Sequence, residues 1–340
     1  MKQIIKVGNV KLGDGHIVIQ SMTNTKTYDV KQTLKQIFDL NNAGAELVRV
    51  SIPDDKSAQA IRELVKESPV PLIGDIHFSK TQAITAIENG ISKIRVNPYN
   101  MSKEDIQDVV KCCIEYKVPI RVGVNKGSAK TSMTPQELVN SALDCVKYVE
   151  DMGLDDIVVA IKSSNLKDTV LANRILAKST NHPIHIGLTE SGTQNFGQLK
   201  SSIAIGALLL DGIGDTIRVS LAGNPVNEIY AAKRILQSIG IDKNFVEVIA
   251  CPTCARTEIN VEELANKIED LTKNITVPLK IAVMGCVVNG IGEGKDADFG
   301  VAGGKDKSVI FENGRQLCVV NNSEIEDTLL GLLNKRIYDK

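Results

Sequence analysis

The sequence predicts an α/β protein: a TIM (β/α)8 barrel followed by a small α+β domain that holds a metal centre. Three observations predict it. Between residue 17 and about residue 240, a short β-rich apolar run followed by a polar loop and an amphipathic stretch returns eight times. Charged residues recur at one level near the ends of those runs. Beyond them the composition shifts, and Cys251, Cys254 and Cys286 appear in short turns.

The opening segment, MKQIIKVGNVKLGDG, alternates charged and apolar residues and breaks at G-N and D-G. It reads as a hairpin closing the bottom of the barrel. It has no long apolar run, and no stretch of eighteen apolar residues occurs, so a cytoplasmic protein is expected. The eight runs are IVIQSMT (17–23), LVRVSIP (47–53), PLIGDIH (71–77), KIRVNP (93–98), PIRVGVN (119–125), IVVAIKS (157–163), PIHIGLT (183–189) and TIRVSL (216–221). Stretches between them, such as VKQTLKQIFDLNNAG, carry apolar residues at helical spacing and end near glycine. Eight consecutive βα units specify a parallel sheet, and eight is the number that closes a barrel. An open doubly wound sheet is the rival, but no G-x-G-x-x-G follows the first run.

A chain of 340 residues holds one large domain and a smaller one. The shift falls near residue 243, giving a barrel over 1–243 that binds the substrate and a metal domain over 244–340. With 40 Lys+Arg against 41 Asp+Glu, a generally basic nucleic-acid binder is excluded. The lack of tryptophan argues against stacking platforms for single strands.

Barrel strands, buried on both faces, should be almost continuously apolar. These break that rule at one level. Arg49, Arg95, Arg121 and Arg218 each stand late in a run, and Lys162 holds the equivalent place in AIKS. Two residues further on come Ser51, Asn97, Gly123, Ser164 and Ser220, on the same face by strand alternation. The third run puts Asp75 and His77 there, and the seventh puts His185, Thr189 and Glu190 there. Single barrel cations usually pair with neighbouring acids, but five cations against Asp75 and Glu190 leave an excess of about three. Unpaired buried charges cost several kcal/mol each, so the excess calls for an anionic guest. Arginine forks suit phosphate oxygens, and the C-terminal mouth is where TIM-barrel sites lie. A phosphorylated small molecule is expected there. Asp75 and His77 read as ligand contacts or a proton carrier, and Glu190 either neutralises an arginine or serves as an acid.

The tail shows one helical pattern, VEELANKIEDLTKNI, and strand-like runs LKIAVMG, ADFGVA, KSVIFENG and QLCVVN, with a hairpin signal at E-N-G. Its C-x2-C is followed, after 31 intervening residues (255 to 285), by Cys286 in a glycine-rich turn. Three thiolates select zinc or an iron–sulfur cluster over magnesium or calcium. Two residues compete for the fourth position. Cys318 would close an all-cysteine site and favour structural zinc, whereas Glu293 would give an exchangeable carboxylate ligand and leave one iron open. Glycines on both sides of Glu293 favour it. Cys112, Cys113 and Cys145 lie on apolar helical stretches and read as buried fillers.

IQSMTNT, LVRVSIP, DIHF, KIRVNP, IRVGVN, HIGLTESG, GIGDTIRVSL, CPTC and MGCVVNG-x-GE follow one another in this order. Together they resemble the 4-hydroxy-3-methylbut-2-enyl diphosphate synthase family of the methylerythritol phosphate route to isoprenoids, in its compact bacterial two-domain form. The resemblance spans nearly the whole chain. It implies an iron–sulfur oxidoreductase with a TIM barrel and a [4Fe–4S] domain, which reductively opens 2-C-methyl-D-erythritol 2,4-cyclodiphosphate with loss of water. The implied cluster ligands are Cys251, Cys254, Cys286 and Glu293. The implied substrate-binding residues are Arg49, Asp75, His77, Arg95, Arg121, Asn125, Lys162, Thr189 and Ser220, with Glu190 and Glu293 as the catalytic pair. The departures, Ala255 where glycine is usual and Ile291 where proline is usual, affect loop stiffness and leave the ligands intact.

Flavodoxin or ferredoxin is the implied electron donor. The last barrel helix should deliver the chain to the bottom face, and a linker of about ten residues stretches at most ~33 Å. A head-to-tail homodimer, each cluster serving the partner's barrel, is the simpler arrangement, and the resemblance agrees with it. The rival reading is a phosphate-metabolite barrel with a structural zinc tail.

Overall fold

The computed structural model describes residues 2–128, 133–273, 275–288 and 290–338, and divides into two compact units, Met1–Ile239 and Gly240–Lys340. Asn274 of the tail helical pattern and Asn289 of the glycine-rich turn lie outside the described residues.

The first unit opens with an antiparallel hairpin of β1 (Ile5–Val7) and β2 (Val10–Leu12). Its apolar side chains Ile5, Val7 and Leu12 pack on Val18, Leu47, Ile73 and Val158. These stand at or next to the starts of their strands, so the hairpin plugs the bottom of the barrel as expected. Eight parallel strands follow: β3 (Val18–Met22), β4 (Leu47–Ile52), β5 (Leu72–Ile76), β6 (Lys93–Val96), β7 (Ile120–Asn125), β8 (Ile157–Lys162), β9 (His185–Ile186) and β10 (Thr216–Ile217). They form one sheet of order β8-β7-β6-β5-β4-β3-β10-β9, and a parallel bridge between Val159 and Ile184 closes β9 back on β8. Each of the eight runs contributes one strand.

The helices α1 (Val30–Ala43), α2 (Asp55–Glu67), α3 (Lys80–Glu88), α4 (Lys103–Tyr116), α5 (Pro135–Asp151), α6 (Leu166–Ser179), α7 (Gln194–Leu210) and α8 (Val226–Ser238) alternate with these strands. The first six start on a side chain that accepts from a first-turn N–H: Asp29, Asp54, Ser79, Ser102, Thr134 and Asn165. Short polar residues at those loop ends therefore fix where each helix begins. Outward-facing strand residues such as Val48, Ile94 and Val122 join helix residues such as Ile37, Ile61 and Val109 in one core. The opposite strand faces point into the barrel.

The second unit has a mixed sheet of order β11-β12-β13-β14-β15. Its strands are β11 (Val246–Ala250), β12 (Leu279–Met284), β13 (Phe299–Ala302), β14 (Lys307–Glu312) and β15 (Arg315–Asn321). The first three run parallel and the last two antiparallel, with the E-N-G hairpin pairing Glu312 with Arg315. Asn313 and Gly314 both take positive φ there, as a tight hairpin turn requires. Three helices accompany the sheet: α9 (Val261–Thr272), the short α10 (Gly290–Glu293) and α11 (Ile325–Tyr338). The tail pattern showed one helix, so α11 is a correction. Its signal is Ile325, Leu329 and Leu333 at intervals of four, all buried in this unit's core. β11 is likewise an addition, from the run VEVIA.

Candidate functional site

At the C-terminal mouth of the barrel lies a cavity of about 200 Å³. It is lined by Arg49, Asp75, His77, Arg95, Arg121, Gly123, Asn125, Ala160, Lys162, Leu188, Thr189, Arg218 and Ser220. The structure thus gathers nine residues singled out from the sequence, Arg49, Asp75, His77, Arg95, Arg121, Asn125, Lys162, Thr189 and Ser220, from seven different strands or strand ends. A larger groove of about 610 Å³ lies by Asn24 and Pro225, and it has no comparable cluster of cations.

Register explains the convergence. Asp75 pairs with Arg95, Arg95 with Arg121, and Asn125 with Lys162 across neighbouring strands. Gly123 leaves the space Arg95 needs, since a Cβ there would sit 2.9 Å from the Arg95 Nε. The Arg95 guanidinium donates to the Gly123 carbonyl (3.3 Å) and to Asp75 (3.5 Å). Asp75 also faces Arg49 Nε at 3.8 Å and His77 Nε2 at 3.6 Å. Burial alone would raise the Asp75 carboxyl, but Arg49, Arg95, His77 and Arg121 outweigh it and hold it at about 2. One carboxylate is therefore shared among several cations.

The cations show the converse strain. Burial, with Arg218 and Arg95 beside it, lowers Arg49 to about 10 even though Asp75 supports it. Burial and then Arg49 and Arg95 press Arg121 well below the ordinary arginine value. Burial and then Arg121 and Arg218 do the same to Lys162. Buried Nε and Nη1 of Arg121 and Nε of Arg95 lack hydrogen-bond partners. Donors of this kind, crowded and unsatisfied, are matched to a polyanion that accepts from several at once.

Four expectations need correction. Arg218 does not add a free charge, because buried Glu228 on α8 pairs with it at 3.3 Å and also accepts from Ser21. An acid on the helix layer is invisible to a count made along strands. His185 lies in the barrel interior below the mouth, wholly buried, with Nδ1 2.7 Å from Thr216 Oγ1. Glu190 is exposed and does not line the cavity; it takes a left-handed φ of 54°, and its Oε1 lies near Gly127 in the loop after β7. Of the polar residues two positions beyond the cations, Gly123 and Ser220 reach the cavity, whereas Ser51, Asn97 and Ser164 do not.

In the second unit, Cys251 directly follows β11, Cys286 follows β12 by two residues, and Glu293 ends α10 between β12 and β13. The Cys254 loop folds over the turn at Gly285: the Glu258 N–H donates to the Gly285 carbonyl at 2.8 Å. Gly285 has no room for a side chain, since a Cβ would meet Thr257 at 2.8 Å. Its N–H donates to Cys251 Sγ at 3.1 Å. Cys112, Cys113, Cys145, Cys251, Cys254 and Cys318 are free thiols. Cys318 stands on β15, paired with Ile310 and packed on the core. Three strand spacings separate β15 from β12, roughly 14 Å, which removes Cys318 from the ligand set. Donor type and loop topology thus fit a cluster held by Cys251, Cys254, Cys286 and Glu293. Among the described residues no three such side chains are drawn together at metal-holding distance.

A charged, small-molecule-sized cup at the mouth of a parallel barrel, joined in one chain to a thiol-bearing α+β unit, defines a two-domain enzyme class acting on a phosphorylated metabolite. The chain belongs to the GcpE family. Residues 2–233 match the GcpE TIM-barrel domain and residues 247–335 the GcpE protein C-terminal domain. A protein of Thermotoga maritima named 4-hydroxy-3-methylbut-2-en-1-yl diphosphate synthase (flavodoxin) is 50% identical over 342 residues, covering 100% of this chain and 99% of the relative. One from Caldanaerobacter subterraneus with the same name is 46% identical, covering 99% and 97%. Among solved structures, a type I 3-dehydroquinate dehydratase from Clostridium difficile matches 70% of this chain and 99% of its own. Its TM-score is 0.52 at 16% identity, which is a likeness of barrel fold.

Proposed function

We propose that this chain converts 2-C-methyl-D-erythritol 2,4-cyclodiphosphate into 4-hydroxy-3-methylbut-2-enyl diphosphate, by reductive ring opening with loss of water, in the cytoplasm. The observation that carries the reading is the cup of Arg49, Arg95, Arg121 and Lys162 around one carboxylate, in a chain whose relatives are named for a diphosphate product. The rival barrel with a structural zinc tail loses its closed all-cysteine site with the placement of Cys318 on β15.

The reaction takes up two electrons and two protons, breaks a carbon–oxygen bond to the cyclic diphosphate and expels one hydroxyl as water. Arg49, Arg95, Arg121 and Lys162 bind the diphosphate oxygens and fix the ring at the mouth. Asp75 orients Arg49 and Arg95 by its shared contacts, and His77, Asn125, Thr189 and Ser220 complete the polar rim. As the departing diphosphate arm gains negative charge, the same cations stabilise it. Glu190 donates a proton to the leaving hydroxyl; since it is exposed, substrate and partner surfaces must first exclude water around it. Cys251, Cys254, Cys286 and Glu293 would hold a [4Fe–4S] cluster, which when bound supplies Lewis acidity and a path for single electrons.

The electrons come from flavodoxin, the donor in the relatives' names, with ferredoxin an alternative carrier. α8 runs back from the mouth, so the chain leaves the barrel at its bottom face. A head-to-tail homodimer then brings each cluster to the partner's barrel. The test is anaerobic purification followed by turnover of the cyclic diphosphate with a chemical reductant. A brown protein containing iron and sulfide, active on that substrate, is expected. A colourless zinc protein, or a brown one without turnover, would overturn the reading.

A further inference from the structure

Below the anion cup, the barrel interior carries polar side chains that substrate binding does not use. Lys93 opens β6 and shares the inward face with Arg95, two residues on, so it lies roughly 7 Å deeper along the strand. It is 0% exposed, and its Nζ has no hydrogen-bond partner. His185 lies in the same interior, its Nε2 likewise unpartnered, and so do both amide atoms of buried Gln20.

Among the described residues the walls of this interior leave Lys93 no unengaged counter-charge. β3 contributes Gln20 and Met22, and β4 contributes Arg49. β5 contributes Ile73, in register with Lys93, and Asp75, which is engaged by Arg49, Arg95 and His77. β7 contributes Arg121, and β8 Ala160 and Lys162. β9 contributes His185, and β10 Thr216 and Arg218, with Arg218 taken by Glu228. The charged groups that act on Lys93 are Arg121 and Arg49, both cations. Among the described residues an ammonium here has no hydrogen-bond partner and no counter-ion, which disfavours the charged form of the amine. Burial, then Arg121 and Arg49, lower its proton affinity well below that of ordinary lysine.

We infer that Lys93 is an interior member of the polyanion site: neutral in the free protein, it takes up a proton from solvent when a diphosphate fills the mouth above it. Lys93 is then a positioning residue that acts through the field it adds beneath Arg95 and Arg121. Each negative charge about 8 Å away raises the proton affinity of the amine roughly thirtyfold at an effective dielectric of about 20. By reciprocity, the proton strengthens anion binding by the same factor. The inference rests on the polyanion reading of the mouth.

Titration calorimetry of the anaerobically prepared, cluster-loaded enzyme with inorganic pyrophosphate tests it. Binding measured at about pH 8, in buffers of differing ionisation enthalpy, gives the protons taken up. Wild type should take up about one proton or more per pyrophosphate bound. Lys93→Met should take up roughly one fewer and bind roughly tenfold more weakly or worse. Without ligand it should melt no lower than wild type, because methionine replaces an unsatisfied amine at similar volume. Lys162 also titrates, so the difference between the two proteins is the decisive quantity. Unchanged uptake in Lys93→Met overturns the inference. Should that variant fail to fold, lysine-labelled wild type serves: a buried amine signal that stays neutral on saturation with pyrophosphate overturns it equally. Pyrophosphate that fails to bind wild type sinks the polyanion reading itself, whereas binding with equal proton uptake in wild type and Lys93→Met sinks this inference alone.

Discussion

Asp75→Asn isolates the charge balance of the cup. The carboxylate is 3% exposed and lies 3.5 Å from Arg95 Nη1, 3.6 Å from His77 Nε2 and 3.8 Å from Arg49 Nε. Holding it at about 2, against an ordinary 3.8, corresponds to roughly 2–3 kcal/mol in favour of its charged form. A carboxyl lowered in this way contributes fully above pH 3.8 and loses its contribution as pH falls through about 2, so at neutral pH all of it is present. The amide preserves the shape and removes the charge, leaving Arg49, Arg95 and Arg121 to repel one another. The barrel should lose roughly 2–3 kcal/mol, a fall in melting temperature of about 5–10 °C for a unit of this size. Saturating pyrophosphate restores negative charge beside the same guanidiniums, so the deficit should shrink below about 1 kcal/mol. Thermal unfolding by circular dichroism, for both proteins with and without pyrophosphate at neutral pH, measures both quantities. An equal deficit in the two conditions, or none without the anion, would refute the shared-carboxylate account.

Glu190→Gln should leave pyrophosphate affinity within about twofold and lower turnover by roughly 10²-fold or more, as loss of a general acid does; steady-state assay against calorimetry separates the two, and normal turnover would sink the role. Glu293→Cys should retain iron and sulfide on anaerobic analysis and lose most turnover, because a fourth thiolate exchanges less readily than a carboxylate. Cys318→Ala, changing a half-buried strand residue three strands from β12, should leave both intact. An inactive Cys286 variant mixed with an inactive Arg121 variant should regain part of the activity through mixed dimers, and no recovery after subunit exchange would count against cluster sharing.

The barrel was legible because each strand is a short β-branched run bounded by turn residues, and each run recurs after one helical stretch. Even the bottom plug showed, through the G-N break between two three-residue strands. The cup was legible for a related reason. A charged residue in a strand buried on both faces is an anomaly, and period-two alternation says which face carries it. The residues that escaped are those whose role depends on contacts between elements. Glu228 reads as an ordinary first-turn helix acid until α8 is packed against β3 and Arg218. His185 reads as a mouth residue, because a strand of two hydrogen-bonded residues gives no measure of depth. α11 begins directly after the polar turn Asn322–Glu324, and its buried residues Ile325, Leu329 and Leu333 form a narrow stripe.

Lys93 belongs with these, although its signal was present in KIRV. The alternation that places Arg95 at the mouth places Lys93 on the same face one step lower. Depth then decides the chemistry. Arg95 has Asp75, the Gly123 carbonyl and an open cavity as partners. Lys93 has two arginines for neighbours and no acceptor. A barrel filled for stability alone would place an aliphatic side chain at that depth, as it does with Ile73 on the neighbouring wall, in register with Lys93. An unsatisfied amine costs about 1–3 kcal/mol in the free protein. Bound polyanion turns that cost into attraction, which gives the cup a reason to keep a second row of donors beneath the first.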